Sequence, residues 1–401
     1  MAGKSPIEVM SGKAKEAFAR AFGEGRTAGV VRAPGRVELL GGHTDYNEGF
    51  VLPMAIEQGT YAAFAPSRER RIRVWAEAGA PGGQTAEFET TGRPGPGSPR
   101  WMNYVKGVAA GLQERGIEPP GADIALVGDL PLGAGLSSSA SLEVATALSL
   151  LHLAGKEIAR PELARICQWA EHHYAGCPCG IMDQFVSLLG RRDHAVLLDC
   201  RTLEYQLVPM DFEDYEFLVV DTGVKHDLAA GEYAARRRQC DEAARLLVRY
   251  DPAIKTLRDA TPEMVNDHFA QMPREVAARA RHVVTENLRV LHASLHLRAG
   301  RVAQFGRLLT ESHQSLRDNF EVSCKESDAL VRIAGGSPEV LGARMTGGGF
   351  GGSVIVLVRR AESDRVRALL ETEFFREFGR KPAVLRSGPA AGAAVLEEPG
   401  K

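Results

Sequence analysis

The sequence predicts a protein of mixed helix and strand built as two domains, and three observations carry that prediction. The chain has 401 residues, more than one small core organises when domains usually span about 50–250 residues. Hydrophobic residues make up 44% of it and charged residues 25%, an ordinary globular balance that speaks against a disordered or fibrous chain. Apolar positions at helical spacing also alternate with short strand-like runs along its length. A boundary near residue 195 divides the chain into 1–195 and 196–401.

Met10, Ala14, Phe18 and Phe22 form a helical stripe over 9–22 that Gly23 ends. Gly29–Val31 and Val37–Leu40 follow as strand-like runs. Arg93-Pro-Gly-Pro-Gly-Ser-Pro99 is a surface loop rather than a linker, because helical spacing resumes at once at Trp101, Tyr104, Val105, Val108 and Leu112. Ala122-Asp-Ile-Ala-Leu-Val127 alternates as a half-buried strand, and Leu142, Ala145, Leu148 and Leu151 mark a helix that lasts until Gly155. Three more helices are expected at 233–249, about 275–297 and 301–317, the last with Val302, Phe305, Leu308 and Leu309 on one face. Ser353-Val-Ile-Val-Leu-Val358 is apolar almost without interruption, as a central strand would be.

Composition excludes some functions. A net charge of −2 removes the electrostatic case for nucleic acid, whose binders carry a basic excess. No apolar run reaches the roughly eighteen residues of a membrane span, and Met1-Ala-Gly-Lys-Ser-Pro-Ile-Glu8 lacks the apolar segment of a signal peptide, so a cytoplasmic protein with no membrane partner is expected. The six cysteines show no disulfide-framework spacing. Cys177-Pro-Cys179 has no second pair to complete a zinc site and reads as two reduced thiols.

Three glycine-rich turns remain. Gly133 to Ser139 joins a strand to a helix, where free N–H groups and the positive end of the helix dipole meet. It reads either as a phosphate cradle, without the Walker lysine, or as a serine-capped helix after a tight turn. Gly347, Gly349 and Gly352 fit GxGxxG, but a β-branched strand follows where a dinucleotide fold needs a helix. Five glycines in the six positions 347–352 instead indicate close approach of the backbone to another segment or a ligand. In Gly41-Gly-His-Thr-Asp-Tyr-Asn-Glu-Gly49, His43 and Asp45 taken alone are ordinary loop residues with local hydrogen bonds.

Taken together and in order, Ala33-Pro-Gly-Arg-Val-Glu-Leu-Leu-Gly-Gly-His-Thr-Asp-Tyr-Asn-Glu-Gly49, the Gly133–Ser141 turn and Met345–Gly352 resemble the three signature motifs of galactokinases, members of the superfamily that includes homoserine, mevalonate and phosphomevalonate kinases. Trp101-Met-Asn-Tyr-Val-Lys-Gly107, Ala170-Glu-His172, Pro178-Cys-Gly-Ile-Met-Asp-Gln184, Val224-Lys-His226 and Glu232-Tyr-Ala-Ala-Arg-Arg-Arg-Gln239 extend the likeness over about the whole chain. The resemblance implies an N-terminal α/β domain, a C-terminal α+β domain carrying the third turn, and a cleft between them in which ATP phosphorylates the anomeric hydroxyl of galactose.

By that resemblance Asp183 is the base and Arg36 its partner, offsetting charge on the transferred phosphoryl group. Ser139 and Glu171 look like ligands for Mg²⁺, with phosphates and water completing an oxygen shell. Gly133, Gly135, Leu136, Ser137, Ser138 and Ser139 would cradle the nucleotide, with Trp101 near the adenine, while His43, Asp45, Gly180 and Tyr233 match sugar-binding positions. The third turn is expected to pack its backbone against the second. Two positions depart: galactokinases usually carry asparagine where this chain has Glu38 and glutamate where it has Gly42, and that glutamate helps hold the hydroxyl on the sugar's sixth carbon. A kinase for a related sugar such as L-arabinose is therefore an alternative. A non-catalytic galactose and ATP sensor is another, against which Ser137-Ser-Ser-Ala-Ser141, Asp183 and Arg36 are all intact.

Overall fold

The computed structural model describes residues 5–77, 82–131, 133–210, 212–225 and 229–400; Leu132 of the second turn and His226 lie outside them. Helix α1 (Pro6–Phe22) begins at a reciprocal cap: Ser5 Oγ accepts from the Glu8 N–H, and the Glu8 carboxylate accepts from the Ser5 N–H at 2.6 Å. The two strand-like runs that follow are one strand, β1 (Gly29–Leu40), whose pairing with β2 (Phe50–Pro66) slips between Pro34 and Arg36 and again between Glu38 and Leu40. Such bulges re-aim side chains, and Arg36 and Glu38 sit at them.

Strands β3 (Arg71–Ala76), β4 (Gln84–Glu89) and β5 (Ala122–Gly128) continue this sheet, antiparallel except where β3 runs parallel to β5. Helices α2 (Met102–Gln113), α3 (Ser138–Leu153), α4 (Arg160–Ala170) and α5 (Met182–Leu189) cover one face and α1 the other. Strand β2 shows why both faces are apolar: Ala62 and Phe64 join the core under α2–α5, while Tyr61, Ala63 and Ala65 join the one under α1. The expected division between 195 and 196 falls inside β6 (His194–Asp199), which pairs with β2 and with β7 (Tyr205–Pro209). By strand pairing, both stay with the first sheet.

The second sheet holds β8 (Tyr215–Asp221), β9 (Val340–Thr346), β10 (Ser353–Arg359) and β11 (Ala383–Ser387) in the antiparallel order β11-β8-β10-β9. Its helices are α6 (Ala229–Leu247), α7 (Pro262–Asp267), α8 (Arg274–Arg298), α9 (Val302–Ser315), α10 (Lys325–Gly335) and α11 (Ser363–Phe378). The unbroken apolar run of β10 is explained by cover on both sides. Val354, Val356 and Val358 pack with Leu330 and Phe374, while Ile355 and Leu357 enter a core built from Val37 and Leu39 of β1, Leu52 and Met54 of β2, and Val290 and Phe305 of α8 and α9. This core is common to both sheets. Strand β12 (Ala394–Glu397) then returns to pair with β1, completing an eight-stranded first sheet. No helix among the described residues is long and apolar enough to cross a membrane.

Candidate active site

The bulge after Pro34 directs Arg36 at Asp183, the second residue of α5. Arg36 donates Nε to Asp183 Oδ1 at 2.8 Å and Nη2 to Oδ2 at 2.7 Å, a fork that fixes the plane of the carboxylate. Its Nη1 donates to the Gly135 carbonyl at 2.6 Å, so the same guanidinium grips the serine turn. Ser137 closes the triangle by donating Oγ to Asp183 Oδ2. The backbone of Ser137 is left-handed (φ 59°), and its side chain caps no N–H of α3. The serine-capped reading of this turn is therefore set aside, because the hydroxyl serves Asp183 instead.

The third turn packs against the second, as expected. A Cβ on Gly347 would lie 2.7 Å from the Gly135 carbonyl oxygen, where no side chain fits, and Ser353 Oγ donates to the Ala134 carbonyl at 2.8 Å. Beyond these contacts lies a cation that sequence reasoning left without a role: a Cβ on Gly133 would stand 3.5 Å from the side-chain methylenes of Lys225. A cavity of about 570 Å³ opens beside the turn, lined by Ser138, Ser139, Leu142, Leu126, Trp101 and Tyr104. Trp101, expected from the resemblance rather than from its helical spacing, reaches that cavity and donates Nε1 to Gln84 Oε1 at 3.0 Å.

A second cavity, of about 340 Å³, brings together Arg36, Glu38, His43, Asp45, Glu171, Gly180, Asp183, Tyr233 and Gly347–Gly349 from both sheets and their helices. The Gly41–Gly49 turn is rigidly held. The Thr44 hydroxyl bonds the Gly41 and Phe50 carbonyls at 2.8 and 2.6 Å, and Asn47 Nδ2 bonds the His43 carbonyl at 2.8 Å. Helix α8 grips it from the other side: Glu286 Oε1 accepts from the Gly41 N–H at 2.9 Å, and His282 Nε2 lies 2.9 Å from the Gly42 carbonyl. His43 has φ 62° and shares a 2.9 Å hydrogen bond between Nδ1 and the Tyr46 hydroxyl, while Nε2 is buried with no partner of good geometry among the described residues and the Gly348 backbone nearby. Burial, with His282, Arg236 and Arg344 nearby, lowers its pKa to about 3, so the ring is neutral.

Asp45 packs directly on Gly180, where a Cβ would fall 1.7 Å from Asp45 Oδ2. Burial, then the charges of Asp183 and Glu38, raises the Asp45 pKa to about 7. Glu171, opening a π-turn over Glu171–Ala175, is also raised to about 7, by burial and then by Asp183; hydrogen bonds from Ser139, Cys179 and Gln184 partly offset this. Gln184 Nε2 bridges Glu171 Oε2 at 2.6 Å and Glu143 Oε2 at 3.1 Å. Glu143 is fully buried and held well above the usual carboxylate range by burial first and Glu171 second. Neither Glu143 nor Gln184 was expected, since a carboxylate inside an apolar helix pattern carries no signal until its neighbours are known. The thiols are free, and Cys177 and Cys179 bring their sulfurs within 4.8 Å of a Glu171 oxygen. A larger cavity of about 780 Å³, lined by Arg192, Phe212, Glu216, Arg360 and Arg386, holds none of the expected residues.

The galactokinase galactose-binding signature matches residues 16–66, the GHMP kinases N terminal domain 103–191, and the GHMP kinases C terminal domain 292–376. The chain is 43% identical over 395 residues to galactokinase from Homo sapiens, covering 97% of each chain. It is 41% identical over 384 residues to galactokinase from Chloroflexus aggregans, covering 95% of this chain and 97% of that one. The chain belongs to the galactokinase family. The crystal structure of Lactococcus lactis galactokinase complexed with galactose superposes with a TM-score of 0.90 at 32% identity, over 97% of this chain and all of that one. Methanococcus jannaschii mevalonate kinase shares the fold at a TM-score of 0.64 and 17% identity, over 90% of this chain and 98% of that one. The two positions at which this galactokinase-family chain departs from the expected motif are neighbours in space, a Cβ on Gly42 lying 3.0 Å from Glu38 Oε1.

Proposed function

We propose that the chain transfers the γ-phosphoryl group of ATP to the anomeric hydroxyl of galactose, with Asp183 as the acceptor of the hydroxyl proton. The observation that carries this reading is the clamp on Asp183. Arg36 occupies one site on each carboxylate oxygen and Ser137 a second on Oδ2, which leaves Oδ1 a lone pair for a sugar hydroxyl. The side chain keeps 23% of its surface exposed, toward the cavity it lines.

A hydroxyl held by Oδ1 loses its proton to that oxygen as its own oxygen bonds to the γ-phosphorus, while the bond from phosphorus to the bridging oxygen breaks and ADP departs. Phosphoryl transfer depends mainly on positioning and on charge stabilisation, so the rigid fork matters as much as the proton it accepts. Arg36 supplies positive charge at the same point, and Lys225 supplies it beside the serine turn. His43, Asp45 and Tyr233 provide converging donors and acceptors for the remaining hydroxyls. Ser139 and Glu171 fit a Mg²⁺ ion by the chemistry of the pair, a hydroxyl beside a buried carboxylate that has no cationic partner among the described residues. When bound, the ion would neutralise phosphate charge. The free thiols suit a reducing compartment, in keeping with a cytoplasmic enzyme.

Purified protein with ATP and Mg²⁺ should convert galactose to galactose 1-phosphate, read by phosphorus NMR. Asp183→Asn should reduce kcat by at least a thousandfold while galactose still binds in calorimetry. Failure to phosphorylate any hexose would exclude the reading, and unchanged turnover in the variant would exclude the assigned base.

A further inference from the structure

Glu38 is a carboxylate where β1 otherwise feeds the shared core: Val37 and Leu39 beside it are fully buried apolar residues, and Glu38 itself is only 3% exposed. Its carboxylate is fixed from the second sheet. Arg344 of β9, fully buried, donates Nη2 to Glu38 Oε1 at 2.6 Å and Nη1 to the Leu39 carbonyl at 2.7 Å. No hydrogen bond to Glu38 Oε2 occurs among the described residues, although the side chain lines the same cavity as His43, Asp45 and Asp183. The room for it comes from Gly42. A Cβ there would press to 3.0 Å from Glu38 Oε1 and 3.1 Å from Arg344 Nη2, tighter than ordinary contact.

A carboxylate oxygen left as an open acceptor on a cavity suits a polyol, which brings hydroxyl donors. We propose that Glu38 is a specificity-determining residue whose Oε2 accepts a hydrogen bond from a non-reacting hydroxyl of the sugar, and that the bare Cα of Gly42 is what admits it. This rests on the sugar-kinase reading of the site. Arg344 holds one oxygen and thereby aims the other, so the geometry exists before the sugar arrives and little side-chain freedom is lost on binding.

The test is steady-state kinetics at saturating ATP on galactose, its 2-, 3-, 4- and 6-deoxy analogues and L-arabinose. Wild type should discriminate against one deoxy analogue more than tenfold. Glu38→Gln replaces an acceptor with an amide, and should raise the KM for galactose about tenfold to a hundredfold, the loss of one charge-assisted bond. It should abolish discrimination against that one analogue, keep the other ratios, and leave the KM for ATP within twofold. Gly42→Ala leaves the carboxylate in place but crowds it, and should collapse the same ratio, which guards against a folding defect in the first variant. If wild type turns over galactose while both variants keep every ratio and the galactose KM within twofold, the role of Glu38 is overturned. If wild type turns over none of these sugars, the sugar-kinase reading falls with it.

Discussion

Replacing Gly180 by alanine isolates one contact of the proposed sugar cavity. The added Cβ would fall 1.7 Å from Asp45 Oδ2 and 2.0 Å from its Cγ, whereas carbon and oxygen atoms settle at about 3.5 Å. The carboxylate must retreat by roughly 1.5–2 Å to restore that spacing, enough to break any hydrogen bond it makes to a sugar hydroxyl. Losing one bond to a charged group costs about 1.5–3 kcal/mol, so the KM for galactose should rise about tenfold to a hundredfold. If the chain moves instead, the start of α5 moves with it, and Asp183 lies three positions on, so kcat should fall as well. The cavity beside the serine turn, proposed for the nucleotide, shares no wall with Gly180, and the KM for ATP should stay within about threefold. The assay is coupled ADP release over a galactose titration, with circular dichroism to verify folding. A folded variant with the wild-type galactose KM and kcat would refute the placement of Asp45 against the sugar.

Ser137→Ala removes one of three hydrogen bonds to the Asp183 carboxylate, and kcat should drop about tenfold to a hundredfold with the galactose KM little changed; equal loss in both would mean that Ser137 acts on binding. Lys225→Ala should raise the KM for ATP about tenfold and spare galactose, since the lysine lies against Gly133 of the serine turn. The Asp45 pKa, raised from 3.8 to about 7 by burial, means that the folded, unliganded protein binds an extra proton, so this contribution to stability fades as pH rises from about 4 through about 7. Denaturant titrations at pH 5 and pH 8 should therefore show Asp45→Asn gaining on wild type at the higher pH, and an unchanged difference would remove Asp45 from the account.

Element type was legible wherever one period ran long enough. The α1 stripe, the α3 and α9 faces and the β10 run all lie where spacing put them, because burial on one face or on two imposes those periods directly. Element continuity was less legible: β1 reads as two runs because the polar and Pro-Gly stretch from Arg32 to Arg36, where the first bulge lies, interrupts the apolar pattern. The division at 195 went through β6 because nothing in a strand's own residues states which sheet it will pair with.

The same limit governed the site. Residue types and order were enough to single out the three glycine turns, since each is contiguous and its backbone chemistry is local, and only their resemblance to galactokinase motifs pointed to Asp183, Arg36, His43 and Asp45. Pairing across the chain was not. That Ser137 serves Asp183 rather than a helix cap, that Gln184 bridges Glu143 and Glu171, that Lys225 lies over Gly133, and that Glu38 stands where a side chain on Gly42 would go are facts of packing between distant segments. Local sequence carries periodicity, capping and backbone freedom because these act within a few residues. Which carboxylate meets which guanidinium depends on how two sheets share one core, and only the folded chain decides that.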